Sequence, residues 1–360
     1  MYEQLRPLLF RLDPETAHHL TLGLLKWAGD LPGTRDVLRA MFDFHDERLR
    51  VNVFGADFKN PVGLAAGYDK NAIAAHGLAA LGFGHIEVGT VTRLPQTGNE
   101  KPRVWRVPES GALINRMGFP NEGVARLRFP KHALKFSDTR LGINIGKGKD
   151  TLLENAAEDY VALLNAVHAR ADYGADYCAI NISSPNTPGL RALQARDAVE
   201  PLLKKIADAR DALSPRVPLL VKIAPDLTWD EIDGIVDAAR DVNFDGVIAT
   251  NTTIARDGVP AYAHSWGGGL SGAPLRARST EIIRHIATQT RGEFPIVGVG
   301  GIEDAASALE KLRAGATLIQ IFTGLVYRGP RLVREINQAL LQQEISSSAA
   351  GPIQASFRLT

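Results

Sequence analysis

The sequence predicts an α/β protein, a TIM (β/α)8 barrel with an N-terminal two-helix extension, on three observations. Eight short apolar, β-branched runs alternate with stretches of helical periodicity. Polar residues or glycines close each run, so that in a barrel they would converge on the one face that carries active sites. The length, 360 residues, suits a single barrel plus an extension. A doubly wound open sheet is the competing architecture.

Residues 1–45 stand outside the repeat. Asp13 followed by Pro14 is a helix start, an N-cap with proline at the first helical position. Ala17, Leu20, Leu24, Trp27, Ala28 and Leu31 then form one apolar stripe, and a second short helix spans 34–44 with Val37, Leu38, Met41 and Phe42. Periodicity alone allows this pair simply to pack on the barrel. The strands follow over 46–343: "VGLAAG" (62–67), "HIEVGTV" (85–91), "LGINIG" (141–146) and "YCAINI" (177–182). Next come "LLVKIA" (219–224), "GVIATN" (246–251), "PIVGVGG" (295–301) and "LIQIFTG" (318–324). Near-continuous apolar runs are expected of parallel strands covered on both faces. The intervening segment 153–171 reads as an amphipathic helix through Tyr160, Leu163, Leu164 and Val167. Residues 344–360 are small and polar enough to form a disordered tail.

A hydrophobic content of 45% and a net charge of +1 describe an ordinary globular enzyme and offer nothing to nucleic acid. Cys178, the one cysteine, allows no internal disulfide, fits a reducing compartment and is expected in the core. No apolar run reaches the ~18 residues of a membrane span, and no signal peptide is evident. The nine histidines lack metal-ligand spacing, so no metal site is expected.

The strand ends carry Lys70, Thr90, Asn144, Asn181, Lys222, Asn251, Gly300 with Gly301, and Thr323. One strand-end asparagine is an ordinary turn former, but eight such ends in register point to a site. Lys222 has apolar neighbours on both sides in a barrel without edges, so it must face an anion or an electron-rich group. "VGVGGIEDA" (297–305) and "FTG" (322–324) place glycines and helix starts where barrels bind phosphate. "WGGGLSGAPL" (266–275) is either a third backbone wall or a hinge. A phosphorylated planar cofactor follows, and FMN fits, because an inward lysine stabilises charge on its reduced ring. No Gly-x-Gly-x-x-Gly with a downstream acid supports a dinucleotide site. Asn115, Asn181, Asn186 and Asn251 with Thr252 offer the donors and acceptors that match a cyclic imide, and Lys70 could take a carboxylate.

The motifs "NPVGLAAGYDKN" (60–71), "INRMGF" (114–119), "INISSPNTPGL" (180–190), "LLVKIAPDL" (219–227), "ATNTT" (249–253), "GGLSGAPL" (268–275) and "GVGGI" (298–302) stand in an order that resembles the dihydroorotate dehydrogenase family. The resemblance is to its quinone-linked, membrane-associated class and runs from about residue 2 to 343, including "LFRLDPETAH" (9–18). It implies oxidation of dihydroorotate to orotate, in pyrimidine biosynthesis, by a flavoprotein. FMN would be held by Ala66, Gly67, Tyr68, Asp69, Lys70, Thr90, Asn144, Asn181, Lys222, Thr250, Gly272, Gly301, Phe322 and Thr323. Dihydroorotate would meet Lys70, Asn115, Arg116, Met117, Gly118, Phe119, Asn181, Asn186, Asn251 and Thr252. Members of the class often carry Tyr where Phe322 stands, so the contribution of that hydroxyl is lost here.

The resemblance also implies that Ser184 is the catalytic base, where the soluble classes use Cys. Strand alternation by itself favours Ser183, which would share a face with Asn181, so choosing Ser184 implies that the strand ends before it. A serine is a poor base unless its proton passes on, and Thr187 is the candidate next link. The N-terminal helices would rest on the cytoplasmic face of the membrane as a peripheral anchor and form a tunnel for ubiquinone or another membrane quinone. His18 and Arg103 would be its polar contacts, and a monomer is expected. The alternatives are another FMN-barrel oxidoreductase acting on a related pyrimidine, a phosphate-binding barrel lyase or isomerase without redox chemistry, and a non-catalytic membrane-bound scaffold.

Overall fold

The computed structural model describes residues 2–127, 134, 137–169 and 175–349. All eight predicted runs become strands, joined by an insertion and two hairpins. In chain order they are β1 (Val51–Val53), β2 (Ala56–Phe58), β3 (Val62–Leu64), β4 (His85–Val91), β5 (Val104–Val107) and β6 (Ala112–Asn115). Then follow β7 (Arg140–Ile145), β8 (Tyr177–Asn181), β9 (Leu219–Ile223), β10 (Gly246–Ala249), β11 (Gly269–Gly272), β12 (Ile296–Val299) and β13 (Leu318–Ile321). Strands β3, β4, β7, β8, β9, β10, β12 and β13 pair in that order and β13 returns to β3, closing a parallel barrel. The open sheet is thereby set aside.

Two ring side chains fill the lower barrel because glycines opposite leave them room. A Cβ at Gly63 would lie 2.1 Å from His85 Nε2, and one at Gly142 would lie 2.1 Å from Tyr177 Cζ. The β1–β2 hairpin covers this end of the barrel, with Phe54 against Tyr177 (6.1 Å between ring centroids) and Phe58 against His85 (5.5 Å). This packing, tilted for Phe54 and edge-to-face for Phe58, closes the barrel from below.

The helices wrap the barrel. α1 (Tyr2–Arg11), α2 (Pro14–Asp30) and α3 (Pro32–Phe42) form the N-terminal extension, which therefore has three helices where the sequence predicted two. Pro7 inside α1 lacks an amide donor and hid that helix; contacts with the far end of the chain hold it, Tyr2 donating to Val326 O (2.5 Å) and Phe10 packing on Tyr327. Asp13 caps α2 as expected, accepting from the backbone N–H groups of Glu15 and Thr16. α4 (Ala75–Ala79) meets α2 at two glycines: a Cβ at Gly29 would lie 2.2 Å from Gly77 N. The face of α2 turned to the barrel is thus Ala17, Leu22 and Gly29, while Leu20, Leu24, Trp27 and Leu31 of the predicted stripe are exposed.

α5 (Ala156–His168) buries the predicted Tyr160, Leu163, Leu164 and Val167, and a 3-10 turn occupies 153–155; residues 170 and 171 of the predicted helix lie outside the described residues. α6 (Arg196–Asp211), α7 (Trp229–Asp241), α8 (Arg276–Gln289), α9 (Ala305–Arg313) and α10 (Thr323–Arg328) continue the alternation. α11 (Arg331–Ala349) runs past residue 343, into the segment expected to be a tail, and residues 350–360 lie outside the described residues. Above the barrel, β5, β6 and β11 form an antiparallel sheet. The "WGGGLSGAPL" segment is therefore a paired strand, an ordered wall, with Gly269 opposite Asn115. Among the described residues no helix is long and apolar enough to cross a membrane.

Candidate active site

The closed lower end leaves the barrel open only toward its strand ends, and there a cavity of about 900 Å³ runs up beneath α1 and α2. Its floor is polar, with Asn181, Lys222, Thr250 and Asn251, and its upper wall is apolar, with Leu8, Leu20 and Leu24. The predicted site residues line it, apart from Asp69, Asn144, Arg116 and Arg103.

Each of those four has another task. Asp69 accepts from the N–H groups of Ile73 and Ala74 and so fixes the turn that presents Lys70. Asn144 lies one layer deeper, its Oδ1 accepting from Thr90 Oγ1 (2.5 Å) and Asn181 Nδ2 (3.1 Å). Arg116 stands over the Trp105 ring and donates to Pro102 O. Arg103 is buried against α2, its guanidinium donating twice to Glu15 (2.7 and 3.1 Å) and to the carbonyls of Thr97 and Asn99. His18 does reach the cavity, edge-on to Tyr68, which in turn meets Phe322. Burial pushes His18 down to about 3, so the ring is neutral.

Lys222 meets an anion, as its setting required, but the anion is part of the protein. Its ammonium lies 3.4 Å from Glu87, a fully buried carboxylate on β4. Glu87 also accepts from Asn144 Nδ2 (2.8 Å), Gln320 Nε2 (2.7 Å) and Tyr177 OH (3.1 Å). Burial pushes this carboxyl up, but Lys222 and the three neutral donors outweigh it and hold the group below the usual carboxylate range. The sequence reading passed over Glu87 and Gln320, although a Glu within "HIEVGTV" and a Gln within "LIQIFTG" are polar residues in strands buried on both faces.

The two serines part as the strand ends. β8 stops at Asn181, after which Ser183 Oγ donates to Asn181 Oδ1 (3.0 Å) and accepts from Asn251 Nδ2 (3.0 Å). Ser184 lines the cavity instead, and its Oγ accepts the backbone N–H of Asn186. Asn186 Nδ2 reaches Asn115 Oδ1 (3.2 Å), tying this loop to β6. Thr187 Oγ1 is buried with no partner among the described residues. Arg191, also unremarked in the sequence, clamps the loop by donating to Ser183 O and Thr252 O while pairing with Asp226 at 2.7 Å.

Lys70 donates to Gly67 O (2.6 Å) at the cavity wall, and burial pushes it down to about 8, with Glu15 opposing the shift and Arg103 adding to it. Elsewhere on the wall, glycines are packed tightly against their neighbours: a Cβ at Gly272 would lie 2.3 Å from Gly111 O, and one at Gly301 would lie 2.4 Å from Arg276 Cβ. Ser271 and Thr323 hydroxyls hydrogen-bond at 2.8 Å beside them. Cys178 is buried in β8, and burial raises its thiol to about 12, so it is an inert core group.

A family model described as dihydroorotate dehydrogenase matches residues 48–343. The chain belongs to the dihydroorotate dehydrogenase family. Among similar curated proteins, the dihydroorotate dehydrogenase (quinone) of Acidithiobacillus ferrooxidans is 50% identical over 347 residues, covering 94% of each chain. That of Christiangramia forsetii is 47% identical over 348 residues, 95% of this chain and 99% of its own. Among solved structures, the Eimeria tenella dihydroorotate dehydrogenase in complex with ferulenol superposes with a TM-score of 0.82 at 37% identity, covering 94% of this chain and 93% of that one. A ligand-free form from the same organism gives the same TM-score. The match begins at residue 48 for the family model, and the similar quinone-type proteins align over 94–95% of the chain.

Proposed function

We propose that the chain oxidises dihydroorotate to orotate in pyrimidine biosynthesis, with FMN as the immediate hydride acceptor and a membrane quinone as the final one. One observation carries the reading: a single cavity joins an amide- and lysine-lined floor to an apolar vestibule under the N-terminal helices. Two chemically unlike partners can thus approach one cofactor from two sides.

The residues present fit FMN. Thr250 Oγ1 is a buried hydroxyl on the cavity wall with no partner among the described residues, Lys222 adds a cation, and Gly272 and Gly301 bring side-chain-free backbone to the cavity wall where a phosphate could be held. When bound, FMN accepts a hydride from one carbon of the substrate and hands two electrons to the quinone. Asn115, Asn186, Asn251 and Thr252 hold the imide edge, and Lys70 meets the carboxylate. Ser184 takes the proton from the carbon α to the carbonyl, adjacent to the carbon that loses the hydride. Its own proton passes on toward Thr187 through an intervening water, since the Thr187 hydroxyl hydrogen-bonds to none of the described residues, Ser184 included.

Among the described residues, nine of the sixteen exposed large hydrophobic side chains lie between Leu5 and Met41. Such a concentration supports a peripheral seat for α1–α3 on the cytoplasmic face of a membrane, where the quinone is dissolved. The neutral His18 is the polar contact that supports quinone binding; Arg103 serves by holding α2 in place through Glu15.

The experiment is anaerobic mixing of the purified protein with dihydroorotate. Bleaching of a bound flavin with formation of orotate, reversed by a short-chain quinone, is the expected result. A colourless protein, or a flavin that dihydroorotate leaves oxidised, would overturn the proposal.

A further inference from the structure

Given the flavin reading of the cavity, we propose that Glu87 is a positioning residue: it orients Lys222 and Asn144 beneath the cofactor and lowers the reduction potential of the flavin held there. Glu87 does not touch the cavity itself. It stands on β4 and gathers donors from four other barrel strands, Asn144 on β7, Tyr177 on β8, Lys222 on β9 and Gln320 on β13. Three of these lead to the site. Lys222 and Gln320 line the cavity, and Asn144 passes the orientation on to Thr90 and Asn181, which also line it.

Charge makes the role more than structural. Reduction places negative charge on a flavin ring, and a lysine beside it favours the reduced form. A carboxylate 3.4 Å from that ammonium, walled off from water, opposes the same charge. Together the two make a nearly neutral floor in place of a cationic one. Removing only the charge of Glu87 therefore leaves Lys222 unopposed and favours the reduced flavin.

Glu87→Gln isolates that effect, because the network can accept it. The retained oxygen still accepts from Asn144 and Lys222. The new amide nitrogen faces Tyr177 and Gln320, and Gln320 Oε1 is a buried acceptor with no partner among the described residues. Turning over the Gln320 amide gives it one.

The test is dye-coupled potentiometric titration of the purified holoprotein under argon. Glu87→Gln is expected to favour the reduced over the oxidised flavin about tenfold or more, a positive shift of about 30 mV for a two-electron couple. Tyr177→Phe removes a neutral donor from the same carboxylate and is expected to move the potential by less than a third of that. An unchanged or lowered potential in Glu87→Gln overturns the inference, and so does an equal shift in Tyr177→Phe, which would make the network merely structural. Should Glu87→Gln fail to retain flavin, Glu87→Asp keeps the charge one methylene shorter; it must hold the parent potential, and a shift of about 30 mV there overturns the inference. A parent protein without flavin would instead overturn the flavin reading on which the inference stands.

Discussion

Arg103 fastens the N-terminal helices to the barrel by charge, and Arg103→Met tests how much that fastening contributes. The variant keeps apolar bulk but leaves the Glu15 carboxylate without its two-point partner and the carbonyls of Thr97 and Asn99 without donors. Burial raises the Glu15 carboxyl, but its hydrogen bonds and attraction to Arg103 outweigh this and bring it from 4.5 to about 2. At about 1.4 kcal/mol per unit, that depression corresponds to an upper bound near ~3.4 kcal/mol, which solvent at the cavity edge screens to roughly half. Orphaning one member of a buried pair typically costs about 3–5 kcal/mol, but Lys101 and His19 stay 3.6 Å from Glu15, so a loss of about 2–4 kcal/mol is expected. With an unfolding entropy of about 0.7 kcal/mol/K for a chain this size, Tm falls by about 3–6 °C. Because the folded carboxyl is depressed, the stabilisation is complete above about pH 4.5 and is lost as the pH falls toward 2. Thermal unfolding of parent, Arg103→Met, Glu15→Gln and the double variant gives the coupling between the two groups. A coupling below about 0.5 kcal/mol at pH 7, or one that does not shrink between about pH 5 and pH 3, would refute the reasoning.

Four further outcomes follow from the site. Ser184→Ala is expected to slow flavin reduction by dihydroorotate roughly 10²–10⁴-fold in stopped flow, with Ser183→Ala far milder; equal losses would erase the distinction between them. In the same assay Thr187→Val is expected to be slow, and a rate matching the parent would take Thr187 out of the proton path. Since burial pushes Lys70 down to about 8, KM for dihydroorotate is expected to rise above that pH as the ammonium is lost, and Lys70→Met should flatten this limb. Deleting residues 1–40 is expected to abolish quinone reduction while flavin reduction continues; undiminished quinone turnover would count decisively against the vestibule.

The parallel strands were the most legible part of the chain, because runs such as "YCAINI" are buried on both faces and carry their pattern locally. Strand-end polar residues were legible for the same reason: the topology puts Thr90, Asn181 and Lys222 in one ring. What escaped depended on contacts distant in sequence. α1 is held by residues 326 and 327, and no local periodicity around Pro7 reports that. The β5–β6–β11 sheet pairs segments about 160 residues apart, so "GGLSGAPL" alone could not distinguish a wall from a hinge. The resemblance named Arg103 as a quinone contact, and its pairing with Glu15 could not be read locally because that partner lies 88 positions away in the chain. The choice between Ser183 and Ser184 turned on where β8 stops, a matter of one or two residues that alternation cannot decide.

The hairpin under the barrel has a consequence for how the site feels charge. With Phe54 and Phe58 shutting the lower end, the Glu87–Lys222 layer has one route to bulk water, upward through the cavity. A flat ligand seated on the strand ends would stopper that route. The layer would then be dry on both sides, with a low effective dielectric, and an electron pair arriving on the ligand would be balanced by fixed protein charges instead of by reorienting solvent. Two phenylalanines at the far end of the barrel from the chemistry would thus act as its insulation.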